Sequence, residues 1–206
     1  MAVDLAELID PSRTALVTQE CQNGVIGEQA VFPALAEAAR REMIPNAARL
    51  VKAARAAGVP VVHCLALRRP DGLGSNTNAR VFGAARKSPV TLTPGSDAAK
   101  VIDEIGVDDA DIVLTRLHGV GPMSGTDLDS VLRNLGASTI VGIGVSVNVG
   151  MTNFTMDAVN LGYQFVLPRD AVAGVPEDYA NALIDNTLSL LATVVTTDQL
   201  IGAWSR

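Results

Sequence analysis

Residues 138–153 read STIVGIGVSVNVGMTN, and this stretch decides the fold of the chain. Its first half, from Thr139 to Val145, is apolar and rich in β-branched residues, whereas the apolar residues after Asn148 have the spacing of a helix. The pattern therefore predicts a buried strand, a tight turn and the start of a helix. Such a turn directs several backbone N–H groups and the positive helix end toward one place. In an open α/β sheet, ligands usually bind at that place.

Strand-like and helix-like segments alternate along the rest of the chain. Short apolar runs predict five further strands, at 14–18, 59–65, 111–115, 163–167 and 193–196. Helices are predicted at 34–57, 96–104, 127–135, 177–191 and from Asp198 to near Trp204. Pro45 is predicted to break the first of them, so that its longer part covers 46–57. The next three are predicted to begin at Ser96, after Thr126 and after Pro176. A short helix or arm is predicted at 2–9.

This alternation is typical of a mainly parallel sheet joined by right-handed crossovers. We predict a Rossmann-like α/β fold with three layers, in which helices cover both faces of one sheet (αβα). The sheet is predicted to have six mainly parallel strands in the order 3-2-1-4-5-6. Because no repeat or linker interrupts the pattern, residues 1–206 are predicted to form a single domain. The first and fourth strands are then neighbours, which brings Glu20 beside the 144–150 turn, with residues 116–122 close by.

The composition restricts the class of protein. The chain has 206 residues, of which 48% are hydrophobic and 18% charged, so it can bury a large core. A net charge of −6 and a pI of about 4.8 argue against general binding of nucleic acid. The first residues, MAVDLAELID, are acidic, and no apolar run approaches roughly 18 residues, so neither a secretory leader nor a membrane span is predicted. With only two cysteines, a disulfide framework is not expected, and we predict a cytoplasmic protein.

Three segments together resemble the isochorismatase-like hydrolases, also called the cysteine hydrolase superfamily. They are TALVTQECQNGVIG at 14–27, DIVLTRLHGVGPMSGTDLDSVLRNLG at 111–136 and GIGVSVNVGMTNFTMDAVNLGYQFVLPRDAVAG at 142–174. The resemblance runs from about residue 12 to 175 and is most specific in the third segment and in the patch from Gly125 to Leu128. It implies the fold predicted above and a hydrolase that acts on small molecules.

The catalytic positions that the resemblance implies all carry unusual residues. Glu20 stands where the family has Asp, and either Arg116 or His118 stands for the family's Lys. Gly150 stands at the position of the nucleophilic Cys and is expected to leave a space where the thiol would be. Without that thiol, amide hydrolysis by the usual route is not expected. True isochorismatases are similar in having Gly there, and they cleave a vinyl ether after protonation by the carboxyl residue, which predicts Glu20 as general acid.

The turn after the central strand is implied to bind developing negative charge. The resemblance implies a cis peptide bond between Val145 and Ser146, just ahead of the helix. The turn that includes Val149 and Gly150 is then expected to present backbone N–H groups as an oxyanion hole.

The substrate is predicted to be a small anionic metabolite. Gln22, Arg80 and Arg86 are the candidate substrate-binding residues, since arginines suit an anionic group. The chain has only two histidines, so no metal site is predicted, and no cofactor is implied. The glycines from Gly142 to Gly150 do not have the spacing of a dinucleotide fingerprint.

Other interpretations stay open. The chain can be a degenerate family member that binds a small molecule or partner without turnover, or an amidase that uses Cys21 as a relocated thiol. His63 and both cysteines also suit ordinary core positions. The irregular segment 66–96 suits either a substrate site or an intersubunit surface, and we predict a homodimer or homotetramer.

Overall fold

The computed structural model describes residues 4–205 and is built on a parallel sheet in the order β3-β2-β1-β4-β5-β7, with β6 paired to β4. Every strand pair in it is parallel. The strands are β1 Thr14–Gln19, β2 Val61–Ala66, β3 Ile112–Arg116, β4 Thr139–Val145, β5 Gln164–Pro168, β6 Val172–Ala173 and β7 Thr193–Val195. The predicted fold class and strand order are confirmed. The predicted sixth strand is β7, and β6 is an additional short strand.

Helices cover both faces of the sheet and complete three layers. They are α1 Leu5–Leu8, α2 Asn23–Ile26, α3 Pro33–Arg41, α4 Met43–Ala56, α5 Arg80–Ala85, α6 Leu128–Asn134, α7 Thr152–Asn160, α8 Glu177–Asn186 and α9 Thr197–Trp204. One face of the sheet packs on α1, α3, α4 and α9, and the opposite face packs on α6, α7 and α8. Within residues 4–205, no helix combines the length and the apolar character needed to cross a membrane.

β1 and β4 are fully buried and lie side by side at the centre of the sheet. Their pairing ends with Gln19 opposite Gly144, so both strands stop at the same edge. Gly142 in β4 makes room for an aromatic ring, since a Cβ there would lie 2.2 Å from Cζ of Phe165. That ring packs edge-to-face on Phe154 of α7, with 5.0 Å between ring centroids. The polar residues after β1 therefore lie beside the turn after β4, at the edge where both strands end.

The predicted break at Pro45 is wrong. Two helices do occupy this region, but α3 ends at Arg41 and α4 begins at Met43, so the break falls at Glu42. Pro45 lies in the first turn of α4, where its missing N–H group costs no helical hydrogen bond. A proline in the first turn is therefore compatible with an uninterrupted α4.

The predicted helix from Ser96 through Glu104 is also wrong. Only a single 3₁₀ turn forms there, at residues 97–99. Val101 instead makes an isolated antiparallel bridge with Gln22, just beyond the end of β1. Pairing to a distant loop therefore takes the place of a continuous helix, and only isolated turn hydrogen bonds remain.

Three other predicted helices differ in extent. The helix predicted at 177–191 ends at Asn186 and is followed by a 3₁₀ turn at 188–190. The helix predicted from Asn148 begins as a π-helical turn at 147–151 and becomes α7 at Thr152. The arm predicted at 2–9 contains α1, and its residues 2 and 3 lie outside the described part of the chain.

A buried polar chain joins β1, β2 and the start of β3. His63 is fully buried, with Nδ1 2.9 Å from the Thr18 hydroxyl and Nε2 3.1 Å from the Asp111 carboxylate. Since a carboxylate only accepts, Nε2 carries the proton and Nδ1 accepts from Thr18. Arg55 completes the chain through an ion pair with Asp111. His63 therefore acts as a satisfied core residue in this fold.

Candidate active site

The end of β1 turns Glu20 toward the turn after β4. Glu20 has a φ of 54°, the left-handed region that residues with side chains rarely adopt. Its N–H donates to the Cys64 carbonyl of β2 at 2.9 Å, and its own carbonyl accepts from the Gln22 N–H at 2.8 Å. An uncommon backbone conformation that is fixed from both sides is a mark of functional positions. The fold thus holds the Glu20 carboxyl at one defined place.

Arg116 forms an ion pair with this carboxyl. Its guanidinium donates through Nη2 to Glu20 Oε1, and the exposed fractions of the two side chains are 4% and 22%. Arg116 ends β3, so its side chain crosses the end of β2 to reach the first strand. Its Nε and Nη1 are buried and have no hydrogen-bond partner among residues 4–205. A buried cation with free donors is suited to an anionic ligand.

The turn after β4 has the cis peptide bond expected of it, but the Val149 N–H, predicted to belong to an oxyanion hole, is used within the turn. The peptide bond between Val145 and Ser146 is cis. The Ser146 carbonyl then accepts from the N–H groups of Val149, at 3.2 Å, and Met151, at 2.9 Å. The π-helical turn places Gly150 at the start of α7, facing the end of β1. The amides of this turn lie at the positive end of the helix.

Gly150 does not leave the open space that we expected from the sequence. A Cβ built on Gly150 would lie 2.9 Å from Nε2 of Gln19, 3.1 Å from the Val145 carbonyl oxygen and 3.2 Å from the Val120 carbonyl oxygen. The Gln19 amide and two carbonyl groups therefore fill the place beside Gly150. Sequence reasoning gave Gln19 no role, although a glutamine in an apolar buried strand is itself an unusual signal.

Glu20, Arg116, Ser146 and Gly150 line one cavity of about 190 Å³. The rest of its wall is mostly apolar and comes from the residues after β1, from α3, from α5 and from the segment after α5: Val25, Val31, Phe32, Leu35, Val81, Phe82, Ala85 and Leu92. A carboxyl and a guanidinium at one end of an apolar cavity form the arrangement typical of a small-molecule site.

A second cavity of about 140 Å³ adjoins the first and shares Arg116 and Phe82 with it. Arg68, Arg86 and His118 also line it, and among the described residues no Asp or Glu does. The charge of this part of the site is thus positive and comes from its arginines, although most of the lining is apolar. His118 lies here and not beside Glu20, so Arg116 is the residue that pairs with the carboxyl. Sequence reasoning did not separate Arg68 from the other arginines of the 66–96 segment.

The remaining predicted substrate-binding residues lie elsewhere. Gln22 is fully buried, and its amide donates to the carbonyls of Ala66 and Ala99, both at 3.0 Å, and accepts from the Ala66 N–H at 2.8 Å. It fastens β2 to the loop beyond β1 and has no free group for a ligand. Arg80 is exposed at the start of α5 and lines neither cavity. Of the three, only Arg86 reaches the site.

Neither cysteine is placed for catalysis. Cys21 and Cys64 are free, buried thiols in the two cores on opposite faces of the sheet, and neither lines the two cavities. Burial raises the pKa of Cys64 to about 12 and raises the pKa of Cys21 as well. Residues 4–205 also contain no cluster of three His, Cys, Asp or Glu side chains that could hold a metal ion.

Comparison with known proteins gives a consistent result. A family model described as the isochorismatase domain matches residues 14–199. The chain is 28% identical over 196 residues to an uncharacterized isochorismatase family protein of Bacillus subtilis, YwoC, covering 94% of this chain and 95% of that protein. It is 27% identical to the ureidoacrylate amidohydrolase RutB of Agrobacterium fabrum, covering 96% and 92%. A cysteine hydrolase structure from Pseudomonas syringae pv. phaseolicola has the same fold, with a TM-score of 0.82 at 23% identity, covering 96% and 95%.

Proposed function

Because the chain belongs to the isochorismatase family of hydrolases, we propose that it cleaves a small anionic metabolite by acid catalysis from Glu20, without a covalent thiol intermediate. The relatives include an amidohydrolase, so the choice between vinyl-ether and amide chemistry depends on the site residues of this chain.

One observation carries the proposal. Among the described residues, Glu20 is the only acid that lines either cavity, and no cysteine lines them. Amide hydrolysis through a thioester needs a thiol within reach of the substrate carbonyl. A proton transfer needs only a carboxyl within hydrogen-bonding distance of the reacting atom. The site therefore favours acid catalysis over thiol catalysis.

The reaction that fits such a site is hydrolysis of an enol ether. Glu20 gives its proton to the terminal carbon of the double bond, which leaves a positively charged carbon bonded to the ether oxygen. Water adds to that carbon and returns a proton to Glu20. The hemiketal then collapses to a ketone and releases the alcohol. No bond to the protein forms at any step, so glycine at position 150 is sufficient.

Arg116 is proposed to bind the substrate and, in doing so, to release the Glu20 carboxyl from its ion pair. An anionic group of the substrate can accept from the buried Nε and Nη1 groups, which have no partner among the described residues. This contact draws the guanidinium away from Glu20 and frees its carboxyl to face the substrate. The cationic cavity with Arg68, Arg86 and His118 adds a second place for negative charge. Both features support an anionic substrate.

The test is steady-state hydrolysis of isochorismate and related enol ethers, with ureidoacrylate as the amide comparison. We expect turnover of an enol ether and none of the amide, and Glu20→Gln should lower kcat by about 100-fold or more. Glu28→Gln is the matched control, since Glu28 is exposed and lines neither cavity. Equal rates for wild type and Glu20→Gln would refute the mechanism.

A second candidate is a family member that binds a metabolite without turnover. The close Arg116–Glu20 pair favours it, because the guanidinium occupies the carboxyl that the proposed reaction needs. A thermal-shift screen of small carboxylic acids, followed by product analysis, separates the two candidates. Stabilisation by a compound that is never converted supports binding alone, whereas product formation excludes it. The homodimer or homotetramer and the cytoplasmic location stay predictions.

A further inference from the structure

Gln19 is a buried polar residue in contact with the proposed acid, and the proposed reaction leaves it without a role. Its side chain is fully buried, at the end of β1. By the alternation of a strand it shares a face with Ala15 and Val17, which pack in the apolar core of that face. A glutamine in such a row costs free energy unless its amide is used.

The contacts of Gln19 fix the orientation of its amide. Nε2 donates to the Val120 carbonyl at 3.2 Å and to Glu20 Oε1 at 3.4 Å. Both neighbours are oxygen acceptors, so the flipped amide would place oxygen against oxygen. The amide nitrogen therefore points at Glu20, and the Gln19 oxygen, which is buried, has no partner among the described residues.

The same nitrogen occupies the space that a side chain at position 150 would need. The Cβ of any such residue would lie 2.9 Å from Gln19 Nε2, with the Val120 carbonyl oxygen at 3.2 Å on another side. Real Cβ atoms do not approach a heavy atom so closely, so either Gln19 moves or position 150 stays glycine. Gln19 and Gly150 are thus a matched pair, one filling the space that the other leaves.

We propose that Gln19 is a positioning residue for Glu20, and that its amide takes the space beside Gly150 and so excludes a nucleophilic side chain there. The role in turnover rests on the proposed function of Glu20, whereas the pairing with Gly150 does not. Gln19 holds the carboxyl by a hydrogen bond and keeps it facing the cavity. The site is thereby fitted to chemistry without a covalent intermediate.

The pairing is tested by a stability cycle of wild type, Gln19→Ala, Gly150→Ala and the double variant. Gly150→Ala alone introduces the close contact, and Gln19→Ala opens the space for it. We expect the melting temperature of the double variant to exceed the additive value by roughly 2–6 °C. Additive shifts would overturn the pairing. This cycle needs no substrate, so it is decisive even if the chain turns over none of the compounds tried.

The positioning role is tested with Gln19→Met, which keeps the volume of the side chain and loses the N–H donor. We expect kcat to fall by about tenfold or more with KM within about twofold, since the hydrogen bond that orients the Glu20 carboxyl is lost at the acid and not at the bound substrate. Gln164→Met is the control, because Gln164 is exposed at the start of β5. An unchanged kcat in Gln19→Met would overturn the positioning role of Gln19. If the wild type turns over an enol ether in the same experiment, the proposed function of Glu20 is unaffected.

Discussion

Asp111, which directly precedes β3, is predicted to be sensitive to substitution although it lines neither of the two cavities. Its carboxylate is 2% exposed, and it accepts from His63 Nε2 at 3.1 Å, from the Asp108 N–H at 2.8 Å and from Arg55. Replacing it with alanine leaves the buried imidazole N–H without an acceptor. Arg55 loses its ion pair, but its side chain is 28% exposed and still donates to the Gly106 carbonyl.

The magnitude follows from these contacts. Removing one partner of a buried ion pair typically costs about 3–5 kcal/mol of unfolding free energy. Because Arg55 keeps a carbonyl partner and some solvent, we expect the lower end for Asp111→Ala, about 3 kcal/mol. For a domain of this size that loss corresponds to a melting temperature lower by roughly 6–12 °C.

The assay is urea unfolding at neutral pH, with Asp109→Ala as the matched control. Asp109 is exposed and makes none of the contacts described for Asp111, so its variant should unfold within about 0.5 kcal/mol of wild type. A loss below about 1 kcal/mol in Asp111→Ala, which is the scale of a single ordinary hydrogen bond, would refute the reasoning.

The same cluster predicts a pH dependence of stability. Burial lowers the pKa of His63, although the hydrogen bond and charge of Asp111 oppose this. The unfolded chain therefore binds a proton that the folded chain does not, so the stability is full above about pH 6.5 and falls as the pH drops toward the folded pKa. Asp111→Ala removes the neighbour that favours imidazolium, and its stability should fall more steeply with acid.

Two further predictions concern the site and the thiols. Arg116→Gln removes the buried guanidinium that pairs with Glu20, and we expect KM for an anionic substrate to rise by about tenfold or more, so an unchanged KM would contradict the role of Arg116. Cys21 and Cys64 are buried thiols with raised pKa values, so a disulfide-exchange reagent should react slowly with the folded protein and promptly with both in urea. Prompt reaction of either thiol in the folded state would show that its core opens readily.

The strands and their order were predictable because they depend on local patterns and general rules of connection. β1, β2, β4 and β5 are short apolar runs, and right-handed crossovers leave few orders for such a sheet. The predicted break at Pro45 was wrong because the sequence pattern does not show where α4 begins. A proline breaks a helix in its interior but is tolerated in its first turn. The break at Glu42 carries no such signal.

Long-range pairing explains the other error in the fold. The Ile102 N–H donates to the Cys21 carbonyl at 3.0 Å, and the Asn23 N–H donates to the Lys100 carbonyl at 2.9 Å. These bonds satisfy the backbone of the segment after Ser96 without a helix. The local sequence favours a helix, and only the distant partner shows that another arrangement is available.

In the site, the sequence resemblance implied the positions of Glu20, Arg116 and the turn at Gly150. It did not indicate what fills the space beside Gly150, because Gln19 comes from another strand and its reach depends on the register of β1 against β4. The division of the site into an acid-bearing and a cationic cavity depends on how α5 folds over the sheet. The spacing and composition of the residues do not indicate how α5 packs over the sheet.

The segment that carries α5 contributes to the site although it is not buried. Across 66–95, a fully described stretch, no residue is buried, yet Phe82 and Ala85 form part of both cavity walls. Apart from Ala66, which ends β2, and Leu92, which packs against one core, changes here alter the shape and charge of the site without touching the two cores. Substitutions in this segment are therefore expected to cost less folding free energy than substitutions in the cores.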